Sequence, residues 1–401
     1  MKKRLGPVIF CLLALLALSG CGSNSGTTPP PPPKPEFLYA MTPPGPTAGT
    51  SFQLTTYKVD TISGALSSSG TTKFSGPLVP QVTVDPSSKY LYISFPSPGA
   101  GAIGIFTIDP STGVPTQTST FVVTQICISC PPISGPGVLS LDPAGKFLFY
   151  GSSTLGTGVF EGIGALGVNG ATGALSGVTG SPFPGDDAPF FVRVHPSGHF
   201  LYTENIDPTG ASGIALQSVS GFAIDPNTGA LTVPVPGSPY SPQVSSTIGG
   251  LAVHPSGNYI YATTGLSMNG IMGWSIDAAG ALTALSNSPF QPGSAASGVG
   301  SFDPTGNFFY VSGGGGGRGI MGFSVDASGG LMPLSTSPFA LGASVTSPVI
   351  DPTGKFLFAG DTLNKVILTF SIDSATGTLT PVGPATQIAA PPFVLTIVKA
   401  P

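Results

Sequence analysis

The amino-acid sequence predicts an all-β protein. Glycine (58) and proline (44) together make up about a quarter of the 401 residues, and they destabilise a helix interior by about 1 and 3 kcal/mol per residue. Hydrophobic residues form 40% of the chain, so it has apolar surface to bury, unlike a disordered chain. Short aromatic segments alternate with Gly- and Pro-containing turns from residue 36 onward. These features exclude a coiled coil or helical bundle and favour a repeated β fold.

The charge content argues against a nucleic-acid partner. Charged residues make up 7% of the chain, against roughly 25% in an ordinary soluble domain. Lys and Arg number 13 and Asp and Glu number 17, with no basic stripe among them. A protein that neutralises phosphates needs such a stripe, so we expect no nucleic acid to bind.

Residues 1–21 form a predicted lipoprotein signal peptide. A positive segment at residues 2–4 precedes an apolar run at 8–18, which is too short to span a bilayer but typical of an export signal. The run ends in Leu-Ser-Gly-Cys, which resembles a bacterial lipobox, and in lipoproteins that cysteine becomes the lipidated first residue. We therefore expect Cys21 to anchor the protein to a membrane. The alternative is a plain signal peptide with an incidental cysteine.

A tether is predicted between the anchor and the folded body. Gly22 follows the lipidation site in place of the Asp that favours inner-membrane retention in such lipoproteins, so we expect an outer-membrane or cell-surface location. Residues 22–35 include five consecutive prolines, which favour extended polyproline II at about 3.1 Å per residue. Such a tether spans up to roughly 40 Å.

Two sequence patterns recur seven times in residues 36–401. The first is an aromatic strand, which in six copies follows a tight turn that contains proline. Its copies begin at Phe37, Tyr90, Phe147, Phe200, Tyr259, Phe308 and Phe356. The second pattern is a hairpin whose turn contains glycine, and its copies lie at Asp60, Asp109, Asn169, Asp225, Asp277, Asp326 and Asp373. Each of the three residue types favours a turn for its own reason. Asp forms side-chain hydrogen bonds to the backbone, Pro has a fixed φ, and Gly tolerates a positive φ.

The repeat of about 52 residues predicts a seven-bladed β-propeller with four-stranded blades. The first aromatic strand, residues 37–40, lacks an inner strand before it, whereas the last unit is followed by an extra apolar segment at 392–398. We expect this C-terminal strand to pair with the N-terminal strand and to close the ring.

The repeated D-P-x-G-x-F-L-Y and F-x-I-D-x-x-T-G-x-L units resemble those of the lactonase-type seven-bladed propellers. That family includes the propeller form of 6-phosphogluconolactonase and carboxymuconate-cyclising enzymes. The resemblance covers residues 36–399 and implies the same fold. Its motifs are structural turns, so they indicate the fold more strongly than the activity.

The turns hold most of the acidic residues, on one face of the predicted ring. We expect these acids to cap their own turns, and we expect His195, His199 and His254 to be turn residues of the same face, not a catalytic or metal-binding triad. The acids are Asp60, Asp85, Asp109, Asp142, Asp225, Asp277, Asp303, Asp326, Asp351 and Asp373.

The opposite face is predicted to carry the variable loops and a cluster of carboxylates. Its candidate ligand- or metal-binding residues are Glu161, Asp186, Asp187, Asp207 and Arg318. Carboxylates on neighbouring loops repel unless they are solvated, protonated or bridged by a cation, and Ca²⁺ prefers such oxygen ligands. Asp187 with Glu204 is the candidate Ca²⁺ pair, and the long segment from Glu204 to Gly221 is expected to be a loop. The alternative is a set of solvated surface acids.

Arg193 lies within a predicted innermost strand, residues 190–194. A charge at that position needs a partner or a wet channel. We expect Arg193 to face the central channel and to pair with a substrate carboxylate or with Asp187, and the alternative is a structural ion pair. Five other blades carry neutral residues at the equivalent position, namely Thr83, Ser140, Ala252, Ser301 and Val349.

Cys127 and Cys130 form a C-x-x-C sequence before the third blade. The following residue is proline, so a haem-attachment motif is excluded, and no second pair exists to complete a zinc site. In an exported protein we expect a local disulfide.

Three functions remain open from the sequence, of which the third is a purely structural role in the cell envelope. Catalytic members of the family are understood to use Arg and His at the mouths of inner strands and a Glu nearby, whereas the matching positions here are Gly137, Phe190, Phe191, Gly249, Gly298 and Thr346. We therefore favour a lipid-anchored extracytoplasmic lactonase-like propeller that binds a small ligand or partner through its acidic variable-loop face. The alternative is an extracytoplasmic lactonase that hydrolyses a sugar or other lactone in the manner of 6-phosphogluconolactonase, assisted by a divalent metal. Its catalytic candidates are Glu204 and Arg193.

Overall fold

Seven antiparallel β-sheets form a ring of blades in the computed structural model. The structure describes residues 34–44, 51–75, 81–95, 101–123, 138–153, 160–185, 188–206, 216–241, 249–263, 270–291, 296–313, 319–346 and 348–400. No helix among these residues is long and apolar enough to cross a membrane. The predicted signal peptide, Cys21 and all but the last two residues of the predicted tether lie outside the described residues.

Of the first four blades, blade 1 combines strands from both ends of the chain. Blade 1 has the order β29-β1-β2-β3, and the next three blades follow the chain order within the sheet. Their strands are β1 (Glu36–Thr42), β2 (Ser51–Val59), β3 (Leu66–Ser75) and β29 (Val394–Lys399); β4 (Val82–Val84), β5 (Tyr90–Phe95), β6 (Gly101–Ile108) and β7 (Pro115–Val123); β8 (Leu139–Leu141), β9 (Phe147–Ser153), β10 (Phe160–Val168) and β11 (Leu175–Gly177); and β12 (Ala188–Val194), β13 (Phe200–Ile206), β14 (Leu216–Ile224) and β15 (Leu231–Pro234).

The last three blades repeat the same meander. One difference from the predicted four strands occurs in blade 7, where a short additional strand, β28, pairs with β26. The strands are β16 (Gly250–Val253), β17 (Tyr259–Thr263), β18 (Ile271–Ile276) and β19 (Leu282–Ala284); β20 (Ala296–Phe302), β21 (Phe308–Gly313), β22 (Ile320–Val325) and β23 (Leu331–Pro333); and β24 (Val349–Ile350), β25 (Phe356–Asp361), β26 (Val366–Ile372), β27 (Leu379–Pro381) and β28 (Thr386–Gln387).

The C-terminal strand closes the ring, as the sequence predicts. β29 pairs antiparallel with β1 over six residue pairs, from Glu36 with Lys399 to Met41 with Val394. Beyond the strand, the Ala400 backbone N–H donates to the Pro35 carbonyl at 2.7 Å. The first blade is therefore completed by the last strand of the chain, and neither strand is left with an unpaired edge at this seam.

An aromatic ring packs against a hairpin glycine at every junction between blades. The glycine has a positive φ, and at Gly113 a Cβ atom would lie only 2.3 Å from the Phe37 ring. Glycine is therefore required both for backbone conformation and for space. The seven contacts are Phe37–Gly113, Tyr90–Gly173, Phe147–Gly229, Phe200–Gly280, Tyr259–Gly329, Phe308–Gly377 and, across the ring closure, Phe356–Gly64.

A buried tyrosine hydroxyl strengthens five of these junctions. The third residue of the aromatic strand donates a hydrogen bond of 2.6–3.0 Å to the carbonyl of the same hairpin glycine. Burial raises the pKa of each of these phenols, so they remain protonated donors. The donors are Tyr39, Tyr92, Tyr202, Tyr261 and Tyr310, and in the other two blades Phe149 and Phe358 occupy the position.

The ten turn aspartates cap their own turns, which confirms the prediction. Asp142, for example, accepts from the backbone N–H groups of Ala144, Lys146 and Phe147. At the exposed Asp109, hydrogen bonds led by that of the Ser111 hydroxyl lower the pKa of the carboxyl. The same pattern recurs at Asp60, Asp85, Asp225, Asp277, Asp303, Asp326, Asp351 and Asp373.

Two histidines replace aspartate in these turns and connect neighbouring blades. His195 Nε2 donates to the Gly257 carbonyl at 2.7 Å, and His254 Nε2 donates to the Gly306 carbonyl at 2.9 Å. Each Nδ1 accepts from the backbone N–H two residues later. Both rings are therefore structural, as predicted for turn residues.

The tyrosine contacts between blades give a direct stability prediction. Tyr261→Phe removes the hydroxyl and leaves the buried Gly329 carbonyl without its donor, which costs about 1–2 kcal/mol and should lower Tm by about 1–3 °C. Tyr259→Phe is the matched control in the same strand, because its bond to the Ala327 carbonyl is exposed and water replaces it. Thermal denaturation followed by circular dichroism compares the two, and an equal Tm change in both variants would contradict the account.

Candidate functional site

The central channel contains a cavity of about 390 Å³, lined by residues from the innermost strands of all seven blades and the segments beside them. One layer of equivalent positions is defined by register, because each member pairs with the third residue of its blade's aromatic strand. The members are Thr83, Ser140, Arg193, Ala252, Ser301, Val349 and Thr396. The predicted equivalence is therefore correct, and Arg193 is the one charged side chain in this layer.

The backbone of two neighbouring inner strands holds the guanidinium of Arg193. Its Nε donates to the Leu251 carbonyl at 3.1 Å, and its Nη1 donates to the Val192 carbonyl at 3.4 Å. The side chain is half-buried and lines the cavity. Burial lowers the pKa of the guanidinium, but an arginine remains protonated at neutral pH. Among the described residues, no carboxylate lies within ion-pair distance of it.

Glu204 lies inside a strand, so the prediction that it begins a long loop is wrong. It belongs to β13, opposite Phe191 of β12 and Val219 of β14, and its side chain has no solvent exposure. The strand continues to Ile206 because both neighbouring strands supply backbone partners that far, and β14 begins at Leu216.

The Glu204 carboxyl is buried without a hydrogen bond. Neither of its oxygens has a partner among the described residues. Burial raises its pKa to about 8, although the charge of Arg193 and the nearby backbone N–H of Gly249, which does not reach hydrogen-bond geometry, oppose the shift. At neutral pH this carboxyl is therefore mostly protonated, and it leaves the positive charge of Arg193 largely uncompensated.

Four side chains share one face of blade 4, toward blade 5. Side chains two residues apart in a strand point to the same side, and Tyr202 on β13 bonds to Gly280 of blade 5. Glu204 therefore faces blade 5 as well, and so do the cross-strand partners Arg193 and Phe191. Arg193 and Glu204 are diagonal neighbours across the two strands, which accounts for their electrostatic influence on each other.

The other predicted site residues lie outside what the structure describes. For Glu161 only the backbone of β10 is described, and its side chain is not. Asp186, Asp187, Asp207, Arg318 and the cysteines Cys127 and Cys130 fall in segments that the structure does not describe. Their roles stay predictions, as does the lipidation of Cys21.

The proposed calcium pair is likewise untested. Asp187 lies outside the described residues, whereas Glu204 is enclosed with no solvent contact. Within the described part of the chain, no three His, Cys, Asp or Glu side chains converge to hold a metal ion. A Ca²⁺ ion at this pair would therefore need the Glu204 carboxyl to leave its present position.

Sequence reasoning missed two features beside Arg193. The first is the aromatic wall, in which Phe191 and Phe393 both line the cavity. The sequence alone indicates Phe191 only as a position without acid or base chemistry. The second is a buried hydrogen-bonded chain on the opposite face of blade 4, from Thr203 through Asn205 to the hydroxyls of Ser218 and Ser220. The alternating polar residues of β13 and β14 were the available signal for this network.

Residues 250–396 match the family model described as lactonase, 7-bladed beta-propeller. The chain is a seven-bladed β-propeller, and its last three blades resemble the lactonase type. The periplasmic gluconolactonase of Pseudomonas aeruginosa is 19% identical with a TM-score of 0.69, over 92% of this chain and 100% of that one. A candidate 6-phosphogluconolactonase of Bacteroides fragilis is 18% identical with a TM-score of 0.69, over 93% and 100% of the two chains.

These structural similarities establish the seven-bladed propeller fold and leave the activity of the chain open. A Lactobacillus plantarum protein is similar to the same degree, with 15% identity and a TM-score of 0.67 over 91% of this chain and 100% of that one. No curated protein matches the chain. The site must therefore be interpreted from its own residues.

The buried Glu204 predicts that the stability of the propeller depends on pH. A carboxyl whose pKa rises from 4.5 to about 8 on folding favours the folded state at low pH, and that contribution is lost as the pH rises through 8. Glu204→Gln keeps the size and removes the ionisation. Its Tm should be close to that of the wild type at pH 5 and about 2–5 °C higher at pH 9.

The control for this prediction is Asp373→Asn. Hydrogen bonds from Thr376 lower the pKa of the exposed Asp373 carboxyl, so it is ionised at both pH values and the Tm difference of this variant should not change. Thermal denaturation at pH 5 and pH 9 measures both variants. A Glu204→Gln difference that stays constant between the two pH values would show that Glu204 is already ionised at pH 5.

Proposed function

We propose that the chain is a lipid-anchored extracytoplasmic lactonase-like propeller that binds a small molecule in its central channel. The observation that carries the proposal is the half-buried guanidinium of Arg193, which lines a cavity of about 390 Å³ with no carboxylate at ion-pair distance among the described residues. A charge in such a place is costly unless a ligand or water compensates it. The lipobox-like sequence at residues 18–21 supports the anchor.

The acidic variable loops form the second part of the proposal. Glu161, Asp186, Asp187 and Asp207 belong to blades 3 and 4 and the segments beside them, and blade 4 also carries Arg193. We assign them to the rim where a ligand or protein partner would approach the channel. Variable loops on a rigid scaffold are the usual place for such contacts.

Binding without turnover is favoured by the residues around Arg193. The neighbouring lining positions Phe191, Gly249 and Gly298 offer no side chain that can act as an acid or base. Glu204 has the appropriate chemistry, but its oxygens have no solvent contact. A substrate in the channel would therefore touch Arg193 and not the carboxyl.

The proposal predicts Arg193-dependent binding of a small anion. A panel of organic anions and their neutral analogues is tested by thermal shift at pH 7 against the wild type, Arg193→Gln and the exposed-lysine control Lys89→Gln. At least one anion should raise the Tm of the wild type and of Lys89→Gln but not that of Arg193→Gln. If no anion distinguishes the two variants, the channel is not the binding site.

Lactone hydrolysis is the second candidate, favoured by a protonated Glu204 beside the Arg193 guanidinium. A guanidinium stabilises a developing oxyanion, and a carboxylic acid can donate a proton. This function predicts saturable hydrolysis of δ-gluconolactone above the spontaneous rate at pH 7, with kcat/KM reduced at least about 100-fold in both Arg193→Gln and Glu204→Gln.

The metal-assisted form of lactone hydrolysis makes a separate prediction. It requires a Tm increase with Ca²⁺ that Asp187→Ala and Glu204→Ala each abolish. Hydrolysis at the spontaneous rate in every variant, with no calcium effect, would leave binding as the function.

A further inference from the structure

The charge inside the channel limits the ligand to one negative group. Arg193 supplies one positive charge, and the protonated Glu204 carboxyl adds none at neutral pH. The guanidinium has five N–H donors, of which one on Nε and one on Nη1 bond to backbone carbonyls. Three donors remain, enough for a paired contact with a carboxylate.

The walls of the channel favour an apolar body on that ligand. Phe191 lies two residues before Arg193 on the same face of β12, and both line the cavity. Phe393 lines it from blade 1, on the opposite side of the ring, and its ring packs edge-on against Phe52 with centroids 5.9 Å apart. Two aromatic rings at opposite walls provide contact area for a flat, apolar molecule.

Hydrogen-bonding side chains are a minority of the lining: besides Arg193 they are Gln81, Thr83, Ser301 and Thr396, against ten apolar residues. Gly249 and Gly298 contribute only backbone atoms to the lining, and the Ser301 hydroxyl already donates to the Pro348 carbonyl at 2.6 Å. A sugar would lose water from several hydroxyls and would find uncommitted hydrogen-bonding side chains only at Arg193, Gln81, Thr83 and Thr396. Each hydroxyl left unsatisfied costs about 1–3 kcal/mol. A hydrocarbon body avoids this penalty.

We propose that the channel binds a monocarboxylate with an aromatic or cyclic apolar body, its carboxylate on Arg193 and its body between Phe191 and Phe393. This assignment rests on the proposed function and names the ligand class. A cavity of about 390 Å³ lies within the usual range for small-molecule sites of this kind. A molecule with two or three negative charges would find only one cation among the described residues that line the cavity.

The test uses 4-fluorobenzoate as the probe, observed by fluorine NMR at pH 7 with the mature protein. Neutral 4-fluorobenzamide tests the charge, and gluconate tests the polyol alternative by competition. We expect 4-fluorobenzoate to bind at least about tenfold more tightly than either. Arg193→Gln should weaken its binding at least about tenfold, Phe191→Ala at least about threefold, and the control Lys89→Gln less than about twofold.

The outcomes separate this inference from the function on which it rests. If gluconate binds as tightly as 4-fluorobenzoate and depends on Arg193, the ligand class is wrong and channel binding stands. If neither anion depends on Arg193, both are wrong. If Arg193→Gln does not fold, phenylglyoxal modification of the wild type replaces it. 4-Fluorobenzoate should then slow the modification of Arg193, whereas neutral 4-fluorobenzamide should not, and equal rates with and without 4-fluorobenzoate would overturn the inference.

Discussion

The contact between an aromatic ring and the hairpin glycine of the next blade is the constraint on which the structure depends. It recurs at all seven junctions, including Phe356 against Gly64 across the ring closure. Each contact needs the glycine for its positive φ and for the absence of a Cβ atom. The same turns also place the tyrosine hydroxyls and histidines that bond between blades, so one short repeated motif determines both the blade and its neighbour's position.

The rigid ring fixes the backbone carbonyls that stabilise the positive charge of Arg193 in the channel. Arg193 is held by carbonyls from two inner strands, and those carbonyls are fixed because the blades that carry them are packed against each other. Glu204 on the same face stays protonated at neutral pH because burial raises its pKa. Arg193 and Glu204 therefore do not neutralise each other as a buried ion pair would. This arrangement lowers the stability of the fold, which indicates that it has a function.

Most of the fold was predictable from the sequence because the turn residues repeat. Asp, Pro and Gly specify local geometry, so the number of blades, the turn face and the closing strand follow from their spacing. The position of Glu204 was not predictable in the same way, because a strand boundary depends on how far its partners extend, and the polar sequence Thr203 to Asn205 looks like a loop. The alignment of Arg193 with five neutral residues was predictable, whereas the sixth, Thr396, and the aromatic wall from Phe393 were identified only in the closed ring.

The most direct test of the account is hydrogen exchange at the ring closure, because every assignment of a residue to the channel or to a face depends on β29 pairing with β1. Amides of residues 394–399 that bond to β1 should exchange as slowly as those of residues 37–41, because both require opening of the whole ring. Exchange of residues 394–399 within seconds, while the inner blades stay protected, would show that the ring is not closed by this strand and would contradict the account.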